Sequence, residues 1–406
     1  MRRIAWVLTA VFLAGATGFA EWSPTRERSE SFCGRTIDWY THASDPAWGA
    51  ENPEQKDTFV VLRPKTGDVE NAPLYVVLHS AGHDVRSCLN CMREVGNHDI
   101  YRAPDGFYAL MLDCRANQKT DWWWGARAKI ASPQDLSPAE KRVMETVRWT
   151  IRKYKIDPNR VYLCGNSMGG SGTLGIGLRH GDVFAAIKAN VPAGVTHASD
   201  RLFLPPETVP EGFSLADPPV CVDYSSQTDR WSKGHDVFFA GMKTRRYALF
   251  AYWGPFGHAN NHAVIETFND LVNTLDWTSI RRDEAYPVFV NAACDDLPPW
   301  PDCRDRASGQ INGYFRWKNQ TDTASRFAMK LWLGTRKSLP TSQFHPPAET
   351  SVEVSLRRLQ RFSVAPGQSI RWTFGDASGT VRADETGLLV IPLTVTRKTQ
   401  VLTLQQ

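Results

Sequence analysis

Val161-Tyr-Leu-Cys-Gly-Asn-Ser-Met-Gly-Gly170 decides the fold of this 406-residue chain. The stretch reads as a short apolar strand running into G-x-S-x-G, a tight strand-to-helix turn that lifts Ser167 clear of the sheet. Glycines at 165 and 169 have a steric reason, because a side chain two positions either side of the serine collides with the neighbouring strand or helix. Small residues follow (Gly169, Gly170, Ser171, Gly172), and residues 173–178 continue as a helix. A glycine-rich turn with an incidental serine is the competing interpretation, and the apolar strand directly before the motif argues against it.

Outward from this turn, about 59 to 275 alternates strand-like with helix-like segments, the pattern of a mostly parallel sheet covered on both faces. Strands are predicted at 58–63, 74–79, 108–113, 161–165, 186–190, 220–225 and 247–253, several of them continuous apolar runs suited to burial on both faces. A helix is predicted over 137–154: Ser137 is placed as N-cap, Pro138 at the first helical position and Glu140 as a capping-box partner, with Val143, Met144, Val147 and Ile151 at helical spacing. From about Tyr286 the texture changes to short alternating runs (313–317, 326–333, 351–356, 369–374, 388–395, 400–404) broken by Gly, Pro, Asn and Asp. These predict a β-sandwich of immunoglobulin or fibronectin type. The expected layout is a signal peptide over 1–20, an N-terminal extension over 21–57, a doubly wound α/β catalytic domain over 58–284 and an accessory β-sandwich over 285–406.

A serine hydroxyl is a poor nucleophile until an imidazole takes its proton, and that imidazole needs a carboxylate to fix its tautomer. With a nucleophile on such a turn, the acid and then the base come from later strand ends. The loop Ser226-Gln227-Thr228-Asp229 ends in a carboxylate, which makes Asp229 the candidate acid; Asp223 lies inside the strand, where it is hard to aim. His258 follows a flexible glycine after the strand ending at Trp253 and is the candidate base, ahead of His262 and then His235. Oxyanion donors are expected from the backbone N–H of Met168 and from the turn His79-Ser80-Ala81-Gly82, with Ala81 favoured over Ser80.

Taken in order, LHSAG (78–82), CGNSMGG (164–170), SSQTD (225–229) and FGHANNH (256–262) resemble the α/β-hydrolase superfamily, in particular secreted esterases of the polyhydroxybutyrate depolymerase and feruloyl esterase type. The resemblance covers about 59 to 275. It implies an acyl-serine mechanism without metal or organic cofactor, with Ser167, Asp229 and His258 as nucleophile, acid and base. Those esterases usually carry His-Gly where this chain has His79-Ser80, and a different residue set around the serine, which bears on the substrate more than on the reaction.

Arg2 and Arg3 precede an apolar run over 4–19, and Gly18 and Ala20 suit cleavage after Ala20, so a secreted or periplasmic chain is expected; an N-terminal membrane anchor is the alternative. A net charge of +4 without a basic block gives no reason to expect nucleic acid as a partner. Eight cysteines in an exported chain suggest disulfides, first of all Cys294 with Cys303. Cys88 and Cys91, near His83 and His98, have zinc-knuckle spacing, but a disulfide to Cys114 or Cys33 is the commoner outcome. No metal is assigned. The aromatic run Trp122-Trp123-Trp124, with Trp231 and Phe256, is expected at the substrate mouth, one of the three tryptophans filling core and one lining the cleft. Three functions compete: an esterase for polysaccharide-linked, aryl or polyester substrates, polymers included; a serine peptidase of the prolyl-oligopeptidase kind; and a catalytically silent binding protein. The sequence does not set the oligomeric state.

Overall fold

The computed structural model describes residues 22–48, 54–93, 97–114, 122–124, 136–202, 217–258, 271–300, 308–339 and 344–406. Its first eleven strands are β1 (Thr25–Phe32), β2 (Arg35–Ala43), β3 (Lys56–Leu62), β4 (Leu74–Leu78), β5 (Tyr108–Leu112), β6 (Val161–Asn166), β7 (Ala186–Asn190), β8 (Val220–Ser226), β9 (Leu249–Gly254), β10 (Tyr286–Val290) and β11 (Gly309–Ile311). Ten of them form one sheet in the order β1-β2-β3-β5-β4-β6-β7-β8-β9-β11. The pairs from β5 to β9 are parallel, and the antiparallel strands lie at the two sides. Strands β4, β5, β6 and β7 are buried along their whole length, and β4 (Leu-Tyr-Val-Val-Leu) and β5 (Tyr-Ala-Leu-Met-Leu) accordingly read as unbroken apolar runs.

The helices are α1 (Val85–Cys91), α2 (Pro138–Tyr154), α3 (Met168–Gly177), α4 (Thr196–Leu202) and α5 (His235–Thr244). One sheet face packs on α2, α3 and α5 through Val143, Val147, Leu174, Ile176, Phe238 and Met242. Helix α2 starts as its sequence requires: the Ser137 hydroxyl accepts from Glu140 N–H at 3.1 Å, and Pro138 occupies the first helical position, where no N–H is needed. The Glu140 carboxylate does not close the expected capping box. It turns inward to Arg201 (3.1 Å), His180 (3.1 Å) and Arg179 (3.4 Å), tying α2 to α4 and to the chain beyond α3. Burial alone would raise its pKa, yet these three partners outweigh it and lower it.

The other face packs on α1 and on strands from the C-terminal third, which are β12 (Phe315–Asp322), β13 (Arg326–Leu333), β14 (Glu349–Arg357), β15 (Ser369–Phe374), β16 (Ala377–Arg382), β17 (Ile391–Thr396) and β18 (Gln400–Gln405). They form two antiparallel sheets, β10-β14-β17 and β12-β13-β18-β15-β16, with a β-sandwich core between them. In β17, buried Ile391, Leu393 and Val395 alternate with exposed Pro392 and Thr394, the period-two pattern of a half-buried strand. The sandwich is joined firmly to the large sheet. Phe250 of β9 stacks on Trp317 at 5.7 Å, Arg358 donates to the carbonyls of Phe184 (2.7 Å) and Ala185 (2.9 Å), and β11 pairs with β9.

Among the described residues no helix is long and apolar enough to cross a membrane. The expected signal segment over 1–20 lies outside the described residues. Among the described residues Cys33, Cys88, Cys91, Cys114, Cys164, Cys221 and Cys294 form no disulfide, so the bridges expected among Cys33, Cys88, Cys91 and Cys114 are not formed. Cys88, Cys91 and Cys114 are instead buried in the apolar core. Cys294 is likewise unbridged, and its expected partner Cys303 lies outside the described residues.

Candidate active site

Parallel neighbours end on the same side of the sheet, so the loops after β6, β8 and β9 converge. Ser167 follows β6, Asp229 follows β8 and His258 follows β9. Ser167 Oγ lies 2.7 Å from His258 Nε2, and the other imidazole nitrogen, Nδ1, hydrogen-bonds the Asp229 carboxylate. The Asp229 side chain is fully buried, while that of His258 keeps about a fifth of its surface open (22 %). The second Asp229 oxygen accepts the Trp231 N–H at 2.8 Å, which fixes the carboxylate plane.

Ser167 holds φ 56° and ψ −116°, a strained conformation for a residue with a side chain. Its surroundings impose it: the Ser167 N–H donates to Asn190 O at 3.0 Å, and its carbonyl accepts from Ala193 (3.1 Å) and Ser171 (3.0 Å). A Cβ on Gly169 would stand 1.9 Å from Leu78 O, and one on Gly165 would stand 2.4 Å from the Gly169 backbone. Both glycines are therefore demanded by backbone contact at the turn. Helix α3 begins at Met168, so its first N–H groups have no intrahelical acceptor and face the serine end of the helix.

The turn after β4 differs from expectation at one donor. The Ser80 N–H is already taken by Tyr101 Oη at 3.0 Å, which removes it as an oxyanion donor; Ala81 is exposed and makes no such bond among the described residues. The Ser80 hydroxyl has another role. It sits 2.8 Å from Tyr101 Oη, donates to Asn166 O at 3.0 Å and accepts from Asn166 Nδ2 at 3.0 Å. A buried serine thus cross-links the turn after β4 to the residue before the nucleophile, a bond that glycine at this position could not make. His79 is fully buried, with Nδ1 at 2.8 Å from Ser80 O and Nε2 at 3.1 Å from Cys114 N.

The aromatic residues divide. Trp123 is fully buried, donates to His79 O at 3.0 Å and packs on Gly172, where a Cβ would stand 2.4 Å from its own. It is core. Trp124 is also buried and stacks on His197 at 4.8 Å, with Trp122 perpendicular to it at 5.0 Å. Phe256, expected at the mouth, is buried and stacks on Tyr224 at 5.3 Å. Trp231 alone of this set is exposed, with its ring 4.5 Å from that of His258 and nearly perpendicular to it.

The lower-ranked sequence candidates form a second buried cluster. Ser225 Oγ lies 2.6 Å from Asp223 and 2.8 Å from His235 Nε2, and His235 Nδ1 donates to Ser232 O at 2.7 Å. All of these side chains are closed to solvent, and Ser232 Oγ in turn donates to Ser226 O at 2.7 Å. The cluster holds the loop that carries Asp229; sequence spacing gives no sign of that support. His262 lies outside the described residues. A cavity of about 450 Å³ lies away from Ser167, between α5 and the 290–298 segment, and no residue of the serine cluster lines it.

No protein-family model matches the sequence, and no curated protein matches it. Solved structures of similar shape include an S-formylglutathione hydrolase from Agrobacterium tumefaciens, 17 % identical, covering 63 % of this chain and 98 % of its own, with a TM-score of 0.44. A fluorophosphonate-binding serine hydrolase of Staphylococcus aureus is 13 % identical over 58 % of this chain and 97 % of its own, with a TM-score of 0.40. A ferulic acid esterase is 14 % identical over 55 % of this chain and 92 % of its own, with a TM-score of 0.39. In its own strand order, its parallel centre and its serine turn, the chain has the architecture of an α/β-hydrolase followed by a β-sandwich.

Proposed function

We propose that the protein is a serine esterase that hydrolyses carboxylic esters through an acyl-enzyme on Ser167. The observation that carries this reading is the hydrogen-bonded line from Ser167 Oγ through His258 to the buried Asp229 carboxylate, at the end of a strained strand-to-helix turn. In the first half-reaction Ser167 Oγ attacks the ester carbonyl carbon while His258 Nε2 takes the hydroxyl proton. The Asp229 carboxylate stabilises the imidazolium through Nδ1. Negative charge on the carbonyl oxygen is received by the N–H groups of Met168 and Ala81. Collapse breaks the ester C–O bond, and His258 returns its proton to the departing alkoxide. Water then attacks the acyl carbon, losing its proton to His258; the acyl C–Oγ bond breaks, His258 returns that proton to Ser167 Oγ, and the carboxylic acid leaves.

Trp231 is the ring-binding surface of this reading, since it is exposed and adjoins the base. Substrates that carry a ring, whether aryl or sugar, gain about 0.5–1.5 kcal/mol from stacking there. Export after removal of residues 1–20 belongs to the same proposal, and places the enzyme where polymeric esters are met. Hydrolysis of a p-nitrophenyl ester compared with a peptidyl anilide tests the bond specificity. Ester turnover that vanishes in His258→Ala and survives in His262→Ala supports the assignment of the base; the reverse pattern overturns it. A protein that cleaves the anilide faster is a peptidase.

A further inference from the structure

Beside the imidazole stands a cation that the hydrolytic mechanism does not use. The Arg230 guanidinium lies over the indole of Trp231, 4.3 Å from its centroid. Both residues are exposed, and Trp231 is the one exposed tryptophan among the described residues. Arg28, Arg86, Arg93, Arg160, Arg357 and Arg358 also lie over rings; Arg230 is set apart by its ring, which adjoins His258. Arg230 forms no ion pair with a described carboxylate. The ring beneath it is held in place: Trp231 N–H donates to Asp229 at 2.8 Å, Trp231 O accepts from Gly194 at 3.0 Å, and the indole packs against His258. The same indole thus contacts both the guanidinium, at 4.3 Å, and the imidazole that contacts Ser167, at 4.5 Å between centroids.

A guanidinium stacked on a ring keeps its full charge and leaves its planar N–H edge free, the geometry that matches a carboxylate with two parallel hydrogen bonds. We infer that Arg230 and Trp231 form a subsite that selects esters carrying a carboxylate, with the substrate anion paired to Arg230 while its ester carbonyl reaches Ser167. The inference rests on the esterase reading and adds its substrate class. The buried carboxylate of Asp229 does not oppose such an anion as a free charge would, because it is committed to His258 and to the Trp231 N–H.

The test compares 4-acetoxybenzoate with 4-acetoxybenzamide, which share a ring and an acetyl group and differ in charge, with rates normalised to hydroxide-catalysed hydrolysis of each. The wild-type ratio of kcat/KM should favour the anion. Arg230→Gln should lower that ratio about 3- to 10-fold, the scale of a single ion pair that is partly withdrawn from water, and Arg230→Glu should invert it. The preference should also shrink as salt is raised. An unchanged ratio in Arg230→Glu overturns the inference. A second arm separates this from the chemistry: binding of 4-hydroxybenzoate and 4-hydroxybenzamide to Ser167→Ala, followed by calorimetry. Loss of anion preference on adding Arg230→Glu upholds the subsite even if the esterase reading fails, and equal binding of the two ligands to Ser167→Ala defeats it even if esters are hydrolysed.

Discussion

Replacing Tyr101 by Phe and Ser80 by Ala, singly and together, probes how the turn after β4 is held against the nucleophile. Tyr101 is fully buried, and Phe fills the same space, so no cavity term enters. What is lost is the acceptor for the Ser80 N–H (3.0 Å) and one partner of the Ser80 hydroxyl (2.8 Å). An orphaned buried donor costs about 1–3 kcal/mol, so Tyr101→Phe should destabilise by about 2 kcal/mol. Ser80→Ala removes the hydroxyl that Asn166 Nδ2 and Asn166 O both use (3.0 Å each), again about 2 kcal/mol. The Ser80–Tyr101 hydroxyl contact is broken by either change, so the double variant should fall short of the sum by about 1 kcal/mol. Urea unfolding of the four proteins measures this coupling. Because the Ala81 N–H depends on the same turn, kcat for an aryl acetate should fall in both single variants with less effect on KM. Strict additivity, or single variants within about 0.5 kcal/mol of wild type, would refute the cross-link as the support of this turn.

Three further outcomes follow from the same physics. Burial, reinforced by Asp296 and opposed by the Asn312 N–H, pushes the Asp295 carboxyl up to about 7. An ordinary Asp in the unfolded chain ionises near 4, so the folded state holds this proton more tightly, and stability falls as pH rises from about 4 through about 7. Asp295→Asn should therefore gain stability at pH 8 relative to wild type and not at pH 4, as read from urea midpoints; a pH-independent difference contradicts the shift. Trp123→Ala should cost about 3–5 kcal/mol, whereas Trp231→Ala should leave unfolding nearly unchanged and raise KM for ring-bearing esters. Gly169→Ala drives a methyl into Leu78 O and should cost several kcal/mol together with most activity; a stable, active variant shows that the turn can relax.

The serine turn is legible in the sequence because sterics write it there: the glycines at 165 and 169 are required by backbone contacts that no other residue tolerates. The central strands are legible because burial on both faces demands continuous apolar runs. Asp229 and His258 follow from strand ends, and the structure brings both side chains to one hydrogen-bonded line with Ser167. The hairpin of β1 and β2 is not legible, since β1, Thr-Arg-Glu-Arg-Ser-Glu-Ser-Phe, is an exposed edge strand with no apolar face to create a period. Glu140 shows a different limit. Its spacing after Ser137 fits a capping box, but two arginines and a histidine from distant sequence claim the carboxylate. Trp123 and Phe256 illustrate a third, because an aromatic residue near a strand end packs inward or outward according to what lies beneath it, and Gly172 and Tyr224 make that room. The support that Ser80, Tyr101 and Asn166 give to the turn joins positions scattered over three segments, and no local pattern announces it.

The most direct measurement is reaction of the folded protein with a fluorophosphonate, followed by peptide mass spectrometry and by ester turnover of Ser167→Ala. A single adduct should map to Ser167, and the alanine variant should lose the adduct and several orders of magnitude of turnover while unfolding as wild type does. Label on a different serine, or near-normal turnover in a folded Ser167→Ala protein, contradicts the assignment of Ser167 as nucleophile.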